Sequence, residues 1–149
     1  MFVDKLAISS PDIEALGRIP EKHVADGDNL PPTLKITGVP EGTVELAVIV
    51  HDPDAPLPNG FTHWTIYGLP ADTTLIKPDG SPGRVGPHGM GLHAYTGAEP
   101  PFGHGQHHYY FWVYALRNHV EGAPSREEFL ARCAGDIIEQ ARFVATYER

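Results

Sequence analysis

The sequence predicts a mainly β protein, two packed antiparallel β-sheets with a peripheral C-terminal helix. Three observations predict it. Four segments (Thr33–Thr37, Val44–Val50, Phe61–Leu69 and Tyr109–Leu116) carry apolar alternation or a β-branched and aromatic run at strand length. Gly 16 and Pro 15, about a fifth of the 149 residues, are spread along the chain as turns between short strands rather than gathered into a linker. Only one segment, near the C-terminus, carries a helical signature. A chain of this length forms a single domain, residues 1–149, with room for a substantial core.

In chain order, Leu6–Ile8 is a candidate short strand, and Pro20, Gly27, Asp28 and Asn29 punctuate the stretch before Pro31. In Thr33–Thr37, Leu34 and Ile36 alternate with polar neighbours, a half-buried strand closed by the turn at Gly38–Gly42. Val44–Val50 (VELAVIV) is apolar almost throughout, so both of its faces are covered. Pro53 lacks an N–H for the ladder and ends that strand, which leaves Asp52 and Asp54 at the strand end. The Pro-rich loop through Pro56, Pro58 and Gly60 offers Ala55–Pro56 as a candidate cis bond. In Phe61–Leu69, period-two geometry puts Phe61, His63, Thr65 and Tyr67 on one face and Thr62, Trp64 and Ile66 on the other. Residues 70–106 show little periodicity; a loop of that length is functional or hides short elements.

Gly97–Leu116 (GAEPPFGHGQHHYYFWVYAL) joins a Pro/Gly/His loop to a buried aromatic strand, and His104, His107, His108 and Tyr109 sit at the junction. The last element reads as a helix. Ser125 and Glu128 have the spacing of a capping box, and Phe129, Leu130, Cys133, Ile137, Ile138, Ala141 and Val144 come after them at helical spacing. Cys133 lies on that apolar face as a core residue, and a lone cysteine forms no internal disulfide.

The net charge of −8 argues against the basic face that nucleic acid needs and against electrostatic docking on anionic membranes, while a small anionic ligand in a local pocket stays open. The N-terminal stretch has no apolar run of signal-peptide length and no 18-residue apolar span occurs, so the expectation is a cytoplasmic protein with no stable membrane anchor.

Seven of the nine histidines gather beside carboxylates at strand ends: His51 with Asp52 and Asp54, then His63, His88, His93, His104, His107 and His108. Such groups build three kinds of site. Imidazolium, tyrosine hydroxyl and turn N–H groups bind an anion. Neutral histidine with Asp binds a metal, but there is no HExxH, no CxxC and no HxH-then-Glu pattern, so neither a metal nor a cofactor is expected. Asp–His pairs serve acid–base catalysis. No serine stands in a GxSxG context.

The DPDAP run ending Val44–Pro56, the strand Phe61–Leu69 and the PPxGxGxHxY pattern within Gly97–Leu116 resemble the phosphatidylethanolamine-binding proteins, above all their bacterial, Raf-kinase-inhibitor-like branch. Leu30–Glu45 resembles the family's approach to the DPDAP strand, and the match spans about residues 28–117. The resemblance implies two antiparallel sheets with peripheral helices around a small pocket for phosphate, acetate-like anions or a phosphoethanolamine head group. Carried over by motif, the binding residues are Asp52, Asp54, Pro56, Phe61, His63, Gly97, Pro100, Pro101, His107 and Tyr109. No residue is assigned a catalytic role. The chain departs from the family pattern where His108 replaces an Arg between the His and Tyr, where Glu99 replaces a small residue, and where Phe61 replaces Trp. The loss of the Arg implies that a carboxylate it would hold is held differently. A further expected departure is a chain that ends after its helix, without the C-terminal segment that gates the pocket in eukaryotic members.

These residues are compatible with three functions. The leading one is a binding protein for a small anionic or phosphorylated ligand, with regulation of a protein kinase or protease as the role the family name implies. The alternative is a small-molecule enzyme using the same His/Asp pocket for acid–base catalysis. The third is a scaffold or homodimer with a vestigial pocket.

Overall fold

The architecture is set by which strand faces are apolar. The computed structural model describes residues 5–149, so the first four residues of the expected domain lie outside the described residues. Its strands are β1 (Ala7–Ser9), β2 (Leu34–Thr37), β3 (Glu45–Asp52), β4 (Phe61–Pro70), β5 (Leu75–Ile76), β6 (Arg84–Val85), β7 (His107–Leu116) and β8 (Ile137–Tyr147). Among the described residues one α-helix, α1, spans Arg126–Cys133. A small sheet has the order β1-β2-β5 and a large one the order β6-β4-β3-β7-β8, with antiparallel pairing throughout both.

Every residue of β3 is buried, as its near-continuous apolar run requires. Leu46, Val48 and Val50 pack inward with Trp64, Ile66, Phe111 and Val113 against Ile8, Leu34, Ile36 and Ile76 of the small sheet. On the opposite face Ala47, Ile49, Tyr67, Tyr114 and Leu116 pack on Phe129 and Cys133 of α1. The protein is therefore three layers, small sheet, large sheet and helix, with one apolar cluster in each gap.

The C-terminal element differs from expectation. The capping box is present, with the Glu128 N–H donating to Ser125 Oγ and the Ser125 N–H donating to Glu128 Oε1. The helix stops at Cys133, however, and after a 3-10 turn the chain becomes β8, paired along its length with β7. Ile137, Ile138, Ala141 and Val144 thus lie on a strand, not on a helical face. Residues 137–147 also read as an alternating β-rich strand, and the free edge of β7 supplies backbone partners that an isolated helix cannot match. Phe143 stacks on its register partner Phe111, ring centroids 4.5 Å apart. The element that follows α1 is therefore a strand. The backbone of Leu16–Ile19 covers part of the outer edge of β8, with the Leu16 and Ile19 N–H groups donating to Val144 and Thr146.

The long aperiodic stretch hides β5 and β6. The cis peptide bond is Ser81–Pro82, not Ala55–Pro56. Among the described residues no helix is long and apolar enough to cross a membrane.

Candidate functional site

A cavity of about 330 Å³ opens at one end of the large sheet, on its inner face. Nine of the ten carried-over residues line it: Asp52, Pro56, Phe61, His63, Gly97, Pro100, Pro101, His107 and Tyr109. Asp54 does not.

Asp52 is the last residue of β3, and strand alternation places it on the inner face with Val50 and Val48. His107 and Tyr109 begin β7 on that face, ahead of Phe111 and Val113. His63 reaches the cavity by another route. Val50 is opposite Trp64 and His51 is opposite Thr62, so His63 is the extra residue of a β-bulge. The bulge lets Phe61 and His63 face the cavity while Trp64 and Ile66 stay in the inner core. Thr65 and Tyr67, expected on the His63 face, lie instead on the helix side, with the Thr65 hydroxyl donating to Pro87 O and Tyr67 packed on Phe129.

Both Asp52 carboxylate oxygens are engaged. Oδ1 accepts the Asp54 N–H at 2.7 Å, a two-residue side-chain turn, and Oδ2 accepts the proton of His107 Nδ1 at 2.7 Å. Asp52 therefore orients His107. Burial pushes its carboxyl above the usual range, against the opposing pull of the His107 bond. His107 is buried, and its other ring nitrogen, Nε2, lies 2.6 Å from Nδ1 of exposed His104.

His63 Nδ1 donates to Thr96 O at 2.8 Å, which leaves Nε2 as a lone-pair acceptor in the neutral ring. Burial lowers its pKa to about 4, so the neutral ring prevails at neutral pH. Tyr109 is 2% exposed, and its hydroxyl has no hydrogen-bond partner among the described residues. Burial, with Asp52 nearby, pushes this phenol upward, so it is a neutral O–H donor.

Asp54 instead braces the rim. Its Oδ2 accepts both the backbone N–H and the Nδ1 proton of His108, each at 2.8 Å. Partial burial would raise its pKa, but the His108 bonds outweigh it and hold the carboxyl below its ordinary value. His108 thus supplies the hold that an Arg would give at this position.

Gly97 serves close approach. A Cβ there would lie 2.3 Å from the carbonyl oxygen of His23. The Gly97 N–H donates to Asn29 Oδ1, Tyr95 donates to the same His23 carbonyl, and Arg149 Nε donates to Pro100 O. Residues 23–29 and the C-terminal Arg149 therefore buttress the pocket loop. Nothing local in the sequence signals those roles, nor the lining of the cavity by Ala55, Leu57, Met90 and Thr96. Glu99 lines the mouth and is exposed. Among the described residues no group of three or more His, Cys, Asp and Glu is placed to hold a metal ion.

A two-sheet antiparallel sandwich with a small, mostly apolar-walled cavity holding an oriented Asp–His pair and a free tyrosine hydroxyl defines a class of small-ligand-binding domain. The profile of the phosphatidylethanolamine-binding protein family matches residues 9–148, and the chain belongs to that family. It is 38% identical over 143 residues to the UPF0098 protein PH1269 of Pyrococcus horikoshii, covering 88% of this chain and 71% of that one. It is 37% identical over 124 residues to the UPF0098 protein YbcL of Escherichia coli, covering 74% and 68%. The crystal structure of E. coli YbcL, described as a new member of the mammalian PEBP family, superposes with a TM-score of 0.88 at 30% identity, covering 97% of this chain and 98% of that one. That of the PEBP homologue CT736 of Chlamydia trachomatis gives 0.89 at 27% identity, covering 99% of each.

Proposed function

We propose that the cavity binds a small oxyanion that retains one proton, such as a phosphate monoanion or a phosphomonoester of the phosphoethanolamine kind, through Tyr109, His63 and His107. The observation that carries this reading is the Tyr109 hydroxyl, a buried donor with no partner among the described residues, directly beside an Asp-oriented histidine. An unpaired buried hydroxyl is costly, and a ligand oxygen relieves it. Neutral His63 accepts from the ligand's remaining O–H, which favours a protonated oxyanion over a fully ionised one. Among the described residues no Lys or Arg lines the cavity, and the exposed Glu99 does, so the reading is of modest affinity at a selective site.

A phosphorylated side chain presents the same oxygens, and in this reading a protein kinase or protease would be regulated by inserting one. A lone, buried cysteine fits the reducing cytoplasm. A second reading, acid–base catalysis, is favoured by the Asp52–His107–His104 chain of hydrogen bonds. It predicts turnover abolished in His107→Gln.

The test of binding is a ¹⁵N-HSQC titration with inorganic phosphate and phosphoethanolamine on wild type and Tyr109→Phe. The expected result is saturable shifts around Asp52, His63 and Tyr109, with affinity roughly tenfold or more weaker in the variant, as for a lost bond to a charged group. Equal affinity in the two proteins, or no saturable shift at millimolar ligand, refutes the reading.

A further inference from the structure

His104 is used neither by the fold nor by the binding reading. It is exposed, on the loop that precedes β7, yet it makes one of the shortest side-chain contacts to a residue of the cavity wall, 2.6 Å from Nδ1 to the Nε2 of buried His107. The two ring centroids are 4.9 Å apart. Because Asp52 is the acceptor at His107 Nδ1, Nε2 is the one ring nitrogen of His107 left to meet a ligand. Whichever ring holds the shared proton, His104 occupies that nitrogen.

The space beside the His104 backbone is open. Gly103 and Gly105 flank it with φ of 73° and 91°, and a Cβ at either would meet nothing within 4 Å. The backbone itself is anchored, with the His104 N–H donating to Pro101 O. The Gly103 N–H donates to Arg149 O, Arg149 holds Pro100, and His107 enters the β7–β8 ladder opposite Tyr147. Rotation of the His104 side chain breaks one hydrogen bond and returns an exposed imidazole to water, while neighbouring anchors stay in place.

We propose that His104 is a latch on the pocket: it occupies His107 Nε2 in the free protein, and a ligand that bonds to His107 must displace it. The latch makes His104 a specificity-determining residue. It sets a threshold that only a ligand with a strong acceptor or donor at the His107 position passes, and weakly bonding apolar molecules that merely fit the cavity leave it closed. The charged groups that face this pair are Asp52 beneath it, with Glu99 at the mouth and the Asp54–His108 pair on the rim. The gating role rests on the oxyanion reading, whereas the His104–His107 bond itself does not.

The sign of the expected effect separates the latch from its rivals. A residue that competes with ligand lowers apparent affinity, so its removal tightens binding. His104→Ala should bind inorganic phosphate with an apparent Kd roughly 2- to 10-fold lower than wild type, the span set by one net hydrogen bond. Two measurements at fixed pH decide the matter. The first is the long-range ¹H–¹⁵N spectrum of the histidine rings in ligand-free wild type and His104→Ala. The expected change is confined to the Nε2 resonance of His107, and unaltered His107 resonances overturn the latch whatever the ligand. The second is phosphate titration of both proteins. Tighter binding in His104→Ala supports the latch. Equal or weaker binding overturns it, the latter by making His104 a ligand contact. A His107 response to the substitution without phosphate binding in either protein overturns the oxyanion reading and the gating role with it, leaving a structural histidine pair.

Discussion

Buried His63 makes the protein's stability fall with acid by an amount that can be isolated. The ring donates through Nδ1 to Thr96 O and is 6% exposed, and burial lowers its pKa from 6.5 to about 4. A histidine whose folded pKa is depressed takes up its proton in the unfolded chain first. Its contribution is fully present above the unfolded pKa near 6.5, declines as pH falls, and is spent near pH 4, where the folded ring also titrates. Each tenfold difference in proton affinity between the two states is worth about 1.4 kcal/mol, so the stability lost to His63 amounts to roughly 2 kcal/mol at pH 5 and roughly 3 kcal/mol at pH 4. His51 is also lowered to about 4 and adds its own slope, so wild type alone does not separate the two. His63→Asn keeps an N–H near Thr96 but cannot titrate. Urea unfolding of both proteins at pH 7 and pH 5 gives a double difference in which His51 cancels. Wild type should lose about 2 kcal/mol more than His63→Asn between those pH values. Equal losses in the two proteins refute the argument that burial holds this ring neutral.

Three further outcomes are expected. Gly97→Ala drives a methyl into the His23 carbonyl, so unfolding should show a loss of about 1–3 kcal/mol, and HSQC shifts should extend to Asn29. Phe129→Ala empties the gap between α1 and the large sheet, where the ring meets Tyr67 and Tyr114, and should cost about 3–5 kcal/mol by the same assay. Ser125→Ala removes the cap of a two-turn helix and should cost about 0.5–2 kcal/mol, with Glu128→Ala adding less on top of it than alone because the two form one reciprocal unit.

The core strands and the chemical inventory of the pocket are legible in the sequence because each rests on local rules. Apolar runs and alternation mark β2, β3, β4 and β7, Pro53 ends β3 at the carboxylates, and Ser125 with Glu128 marks where α1 begins. The motif order brings Asp52, His63, His107 and Tyr109 forward as one set, and the structure lines a single cavity with all four. The role of Asp54 is less legible. Its spacing suits the cavity wall as well as the rim, and only the position of His108 shows where its side chain lies.

The sequence by itself therefore determined which residues alternate, cap, turn and titrate, since these depend on neighbours within a few positions. Tertiary structure decided the rest. Residues 137–147 satisfy both a helical and a strand pattern, and the unpaired edge of β7 chose the strand by offering backbone partners distant in the chain. A one-residue bulge opposite β3 chose which face His63 serves, because a shift of one reverses every side chain beyond it. The approach of residues 23–29 required Gly97, and the fold of one loop onto β7 set His104 against His107. Each of these is a choice among locally equivalent states, made by contacts that exist only once the sheets have closed.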